Sequence, residues 1–154
     1  MTPDVVDRPA VRLATVRHVG PYHEIGSAFA RLEAVLTEAG FPVGPAIMAA
    51  VFHDNPQATP AAELRSDAGV VVAPDIGIPA GLTPVDLPAG RYLHLRHLGP
   101  YSGLPVAWGS LRRAVLTGGD HRRGDGAGFE LYPNNPITTA PDDLITDLYI
   151  PLAD

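Results

Sequence analysis

The sequence predicts an α+β fold: tandem duplicated β-α-β-β units, an antiparallel sheet with two helices on one face, and a ligand groove between the copies. Three observations predict it. Arg17-His18-Val19-Gly20-Pro21-Tyr22 returns 79 residues on as Arg96-His97-Leu98-Gly99-Pro100-Tyr101, and Val6, Asp7, Pro9, Ala10 and Arg12 match Val85, Asp86, Pro88, Ala89 and Arg91 at the same offset. Asn55-Pro56, Thr59, Leu64 and Asp67 return 80 residues on as Asn135-Pro136, Thr139, Leu144 and Asp147. The two blocks keep their order, so one duplication with a single inserted residue accounts for both. Repeat 1 covers about residues 5–75 and repeat 2 about 83–152, within a single domain over 1–154.

Each element follows in order. Residues 11–18 alternate as a strand, and 91–97 repeat them. Gly-Pro-Tyr then turns the chain, glycine supplying backbone freedom and proline a fixed φ. Ile25, Ala28, Phe29, Leu32, Val35 and Leu36 recur at helical spacing up to Gly40, and Leu104, Ala107, Trp108, Leu111, Ala114 and Val115 do so up to Gly118-Gly119. Two strands close each copy: 47–53 and 68–73, then 129–132 and 145–152. A Pro/Thr/Asp-rich connection with a short acidic turn, Ala61-Ala62-Glu63-Leu64 or Pro141-Asp142-Asp143-Leu144, joins each pair. One copy alone cannot cover both faces of its strands. Two side by side can share a sheet, which leaves the groove on the face away from the helices.

Composition narrows the function. The net charge is −6, all 11 basic residues are scattered arginines and no lysine is present, which argues against direct nucleic-acid binding. With no cysteine there is neither a disulfide framework nor a thiolate metal site, and the histidines form no ligand set at metal spacing. No cofactor is expected, since no glycine-rich phosphate loop follows a strand. No secretion signal and no membrane-length apolar run are visible, so the sequence reads as cytoplasmic. The stretch 118–128, rich in glycine and charge, reads as a mobile surface loop.

The His-hydrophobic-Gly-Pro-Tyr openings, Phe129-Glu130-Leu131-Tyr132-Pro133-Asn134-Asn135-Pro136, Glu63-Leu64-Arg65-Ser66-Asp67 and residues 143–152 together resemble the gyrase-inhibitor-like (SbmC-type) small-molecule-binding family. That family also supplies effector-binding domains of AraC- and MerR-type regulators. The resemblance covers nearly the whole chain. It implies a groove for hydrophobic, often cationic, organic compounds. The two copies use almost all of the chain, so a stand-alone member without a helix-turn-helix is expected.

Glu130 is the sharpest candidate. It sits inside an apolar strand, where a charge is costly unless compensated, and its counterpart in the first copy is Ala50. It reads either as a solvent-facing residue or as a ligand group; the resemblance implies the latter, a groove carboxylate that selects cations. Tyr132, two residues on, shares its strand face. Trp108 stands where the first copy has Phe29 and reads as core or as ligand wall. Tyr101 and its counterpart Tyr22 read first as helix-entry packing. In the second copy Tyr101 could also serve as a hydrogen-bond donor or acid. Phe52 and Tyr149, with Tyr92, complete the aromatic candidates. Binding or sequestration of a hydrophobic or cationic molecule is therefore expected. The alternatives are hydrolysis of cyclopropane-containing genotoxins, with Glu130 and Tyr101 catalytic, and contact with DNA gyrase.

Overall fold

In the computed structural model, which describes residues 2–117 and 122–153, the first copy folds as β1 (Asp4–Arg8), β2 (Val11–Val19), α1 (Gly26–Glu38), β3 (Met48–Phe52) and β4 (Arg65–Val72). The second copy folds as β5 (Thr83–Leu87), β6 (Gly90–Leu98), α2 (Leu104–Thr117), β7 (Gly128–Tyr132) and β8 (Ile145–Pro151). The expected β-α-β-β order is present, and each copy adds a leading strand.

The Gly-Pro-Tyr signature acts through its backbone. Gly20 and Gly99 take φ of +134° and +116°, which side-chain-bearing residues rarely adopt, and their amides donate to the carbonyls of Leu64 and Leu144 at 2.7 and 2.8 Å. A short 3-10 turn then leads into each helix. α1 buries Ala28, Leu32 and Leu36, one residue per turn of a single face. It stops at Gly40, whose φ is +76°. The Phe41 amide returns to the Leu36 carbonyl at 2.9 Å and the Gly40 amide to Thr37 at 3.1 Å, a Schellman motif. The glycines expected to stop α2 lie outside the described residues.

Two compact units result, and they do not follow the repeats. One is Ala10–Pro88; the other joins Met1–Pro9 to Ala89–Asp154. Within the first, the strand order is β3-β4-β2-β5; within the second it is β7-β8-β6-β1. β1 opens the first copy in sequence yet pairs antiparallel with β6, from Asp4 opposite His94 to Arg8 opposite Gly90. β5 opens the second copy yet pairs with β2. Each copy thus donates its leading strand to the other copy's sheet. Pro9 and Pro88 stand at the crossings, where a residue without an amide proton cannot extend the ladder.

In each unit one helix packs on one face of the sheet. α1 packs on Ala14, Ala68, Val70 and Val72. α2 packs through Ala107 and Leu111 on Leu93, Leu95, Leu148, Ile150 and Leu152. Leu32 and Leu111 are fully buried, and burying such a side chain contributes about 1.5–3 kcal/mol.

Candidate functional site

β7 is short, but its register decides where Glu130 points. Glu130 lies opposite Leu148 on β8, and paired residues of an antiparallel ladder project to the same face. Leu148 belongs to the cluster under α2. Glu130 therefore faces the helix, whereas the architecture of the sequence led to an expectation of the helix-free face. Register sets the direction, and the room comes from two residues: α2 carries Trp108 on its inner side, and β7 starts with a glycine there. A Cβ on Gly128 would lie 3.3 Å from Trp108 Cη2, so the indole occupies the space a side chain would take.

Glu130 is 3% exposed. Trp108 Nε1 donates to Oε2 at 2.6 Å, and the Tyr132 hydroxyl donates to Oε1 at 2.5 Å. The Tyr101 ring lies 5.8 Å from that of Tyr132, centroid to centroid. Among the described residues, none of the ion pairs reaches Glu130. Desolvation pushes its carboxyl above the usual range, against the pull of the two donors and the nearby His97. Burial and the adjacent carboxylate push Tyr132 well above an ordinary phenol, and burial followed by Glu130 raises Tyr101 as well. The site thus holds a carboxylate that only neutral groups stabilise directly, walled by an indole and two phenols. Such a group can accept a proton or a cation.

Of the sequence candidates, Glu130, Tyr132, Trp108 and Tyr101 come together in one unit. Phe52 belongs to the other, where it packs on Tyr22 at 4.9 Å, just as its counterpart Tyr132 packs on Tyr101. Tyr149 shares a unit with Glu130 but projects to the opposite face. It lies opposite Phe129, one step along the ladder, and stacks on that ring at 4.8 Å. Tyr92 sits on that same face, edge-on to Phe129 at 5.3 Å.

Two further contributors, Gly128 and His97, do not stand out in the sequence. Gly128 was hidden at the end of a glycine-rich run, and the comparison with Met48, 80 residues earlier, was the signal available. His97 reads in the sequence only as repeated scaffold. Its Nε2 donates to the Pro100 carbonyl at 2.9 Å, as His18 does to Pro21 at 3.0 Å. Its ring fills the room left by Gly103, where a Cβ would stand 2.7 Å from His97 Cε1.

The stretch read as a mobile loop divides. Residues 118–121 lie outside the described residues. From Arg122 on, the chain is paired: Ala153 donates to the Arg122 carbonyl at 2.8 Å and Gly124 to Pro151 at 2.9 Å. The Arg123 guanidinium donates to the carbonyls of Gly124, Gly126 and Pro151, binding this run to the end of β8. Gly124 permits it, because a Cβ there would stand 2.7 Å from Leu152. Among the described residues no three His, Asp or Glu side chains gather as metal ligands, and no helix is long and apolar enough to cross a membrane.

The sequence pattern of the GyrI-like small molecule binding domain matches residues 1–153. A DNA gyrase inhibitor of Yersinia enterocolitica is 30% identical over 136 residues, 85% of each chain. Among solved structures, EcmrR in its DNA complex matches with a TM-score of 0.80 at 17% identity. The match covers 99% of this chain and 57% of EcmrR, so the chain spans little more than half of that protein. SAV2435 bound to tetraphenylphosphonium matches with a TM-score of 0.63 at 13% identity, over 99% of this chain and 94% of SAV2435.

Proposed function

This chain belongs to the GyrI-like small-molecule-binding family, and we propose that it binds a hydrophobic organic cation through the carboxylate of Glu130. The observation that carries this reading is the isolation of that carboxylate. It is buried, and its two hydrogen-bond donors, Trp108 and Tyr132, are neutral. A charge in that position gains strongly from a cation, because little solvent screens the attraction. The indole and phenol faces add cation–π attraction for a ligand without N–H donors. The tetraphenylphosphonium held by SAV2435, a protein of the same fold, is a ligand of this chemical class. A cation reaches the carboxylate by displacing one of the aromatic side chains that cover it.

Trp108 is the single tryptophan of the chain, so its fluorescence reports on the site directly. Titration with tetraphenylphosphonium is expected to change that emission saturably. Glu130→Gln is expected to weaken binding at least about tenfold, or 1.4 kcal/mol. Equal affinity in the variant would remove Glu130 as the counter-charge. The same preparation separates the other readings. Mass spectrometry after incubation with cyclopropane-containing electrophiles detects turnover, and a supercoiling assay detects any action on gyrase.

A further inference from the structure

The face of the sheet turned away from α2 carries a second charged group, with an environment of its own. Arg8, on β1, donates from Nη1 to the Tyr149 hydroxyl at 3.0 Å, and its guanidinium carbon lies 4.7 Å from the centre of that ring. Among the described residues its Nε is buried without an acceptor, and Nη2 makes no hydrogen bond. Among the described residues no carboxylate pairs with it. The acids on this face, Asp147 and Asp4, are already engaged: Arg96 holds both Asp147 oxygens through Nε and Nη2 at 2.9 Å, and His94 bonds Asp147 at 2.8 Å and Asp4 at 2.9 Å.

Two other arginines of the chain show what the Nε–Nη2 edge is used for. Arg96 places it on Asp147, and Arg65 places it on Asp54 at 3.1 and 2.9 Å. In Arg8 the Tyr149 bond takes Nη1 and leaves that same fork facing no acceptor. Nε itself has no accessible surface, so an anion reaches the fork only as the side chain shifts toward its open neighbour: Gly90 lies directly across the ladder, and a Cβ there would meet no atom within 4 Å. Nor is the arrangement shared scaffold: the counterparts of Arg8, Tyr92, Phe129 and Tyr149 in the other repeat are Leu87, Leu13, Ala49 and Gly69.

We propose that Arg8 anchors a second ligand site, on the sheet face away from α2, that takes a carboxylate anion through the Nε–Nη2 edge of its guanidinium. The planar fork matches a carboxylate in two parallel hydrogen bonds, and the bond to Tyr149 holds it in orientation. This site is separate from Glu130 and has the opposite charge preference, so it does not depend on the cation reading.

The test uses the full chain, labelled with nitrogen-15, with the Arg8 Nε–H resonance assigned through its own backbone. Benzoate and acetate are expected to shift that resonance saturably, whereas chloride at equal ionic strength leaves it in place. Arg8→Lys, which keeps the charge and loses the fork, is expected to bind benzoate about tenfold more weakly by calorimetry. An equal response to chloride, or no saturation with either carboxylate, overturns the site. A response to inorganic phosphate alone overturns its assignment to carboxylates. Because the wild-type resonance decides these outcomes, a variant that fails to fold does not block the test.

Discussion

The two units carry the same scaffold and opposite interiors at one point. In the Glu130 unit, Gly128 makes room for Trp108, and Trp108 with Tyr132 donates to the buried carboxylate. At the corresponding positions the other unit has Met48, Phe29, Phe52 and Ala50. These pack without a polar atom among them; Ala50 is fully buried, and Phe29 and Met48 lie against the α1 cluster. The tyrosines differ too. The Tyr22 hydroxyl is held by Asp54, donating to its carbonyl at 2.6 Å and accepting from its amide at 2.9 Å. Tyr101 has no such bond among the described residues and lies in the field of Glu130. The lesson is that the buried charge is a matched set. Donors, room and carboxylate occur together in one unit and are all replaced in the other.

Breaking the set where its partners are missing has the largest expected effect. Ala50→Glu places a carboxylate among Phe29, Phe52 and Met48, and is expected to cost about 3 kcal/mol or more in urea unfolding. Adding Phe29→Trp, Phe52→Tyr and Met48→Gly is expected to recover part of that loss. A single variant as stable as wild type would mean the two interiors are interchangeable.

Trp108→Phe comes next. It removes a donor to a charged acceptor and is expected to cost about 2 kcal/mol near neutral pH. The loss shrinks in acid, because the Glu130 carboxyl is raised above the usual range and is neutral there. The sign of that linkage is checkable. A folded-state carboxyl with a raised pKa holds its proton where the unfolded chain has released it, so stability falls as pH rises through that window. Glu130→Gln should abolish this fall. Asp67 and Asp147, present in both copies, act in the opposite sense. Burial pushes them up, but their bonds to His53 and Arg17, and to Arg96 and His94, hold them below the usual range. Their contribution is present above the ordinary aspartate value and is lost as pH falls, so the acid limb should survive Glu130→Gln.

The smallest effect is Gly128→Ala. Its Cβ would press on the Trp108 indole and on the Tyr149 carbonyl, each at 3.3 Å, and is expected to cost about 1 kcal/mol. The tryptophan emission should shift with it; an unshifted spectrum would show that the glycine does not seat the indole.

Much of this was legible in the chain because it is local. The repeat, the Gly-Pro-Tyr turns and the one-face helices depend on backbone freedom and short-range periodicity, which a single segment already contains. Glu130 stood out for a related reason: an acid inside an apolar strand, opposite Ala50 in the other copy, is an anomaly visible without coordinates. β1 and β5 were harder. Both are five-residue edge strands, and their partners, β6 and β2, lie in the other copy.

By itself, then, the sequence determined that there are two copies, what each is made of, and which residue breaks their symmetry. Only the tertiary structure decided that the copies exchange leading strands, that Glu130 points at Trp108 and away from Tyr149, and that Arg8 rests on the ring and hydroxyl of Tyr149. The physical reason is the same in each case. Strand pairing, the face a side chain takes and the partners of a charge are set by register with residues far along the chain, and a shift of one position would reverse every face.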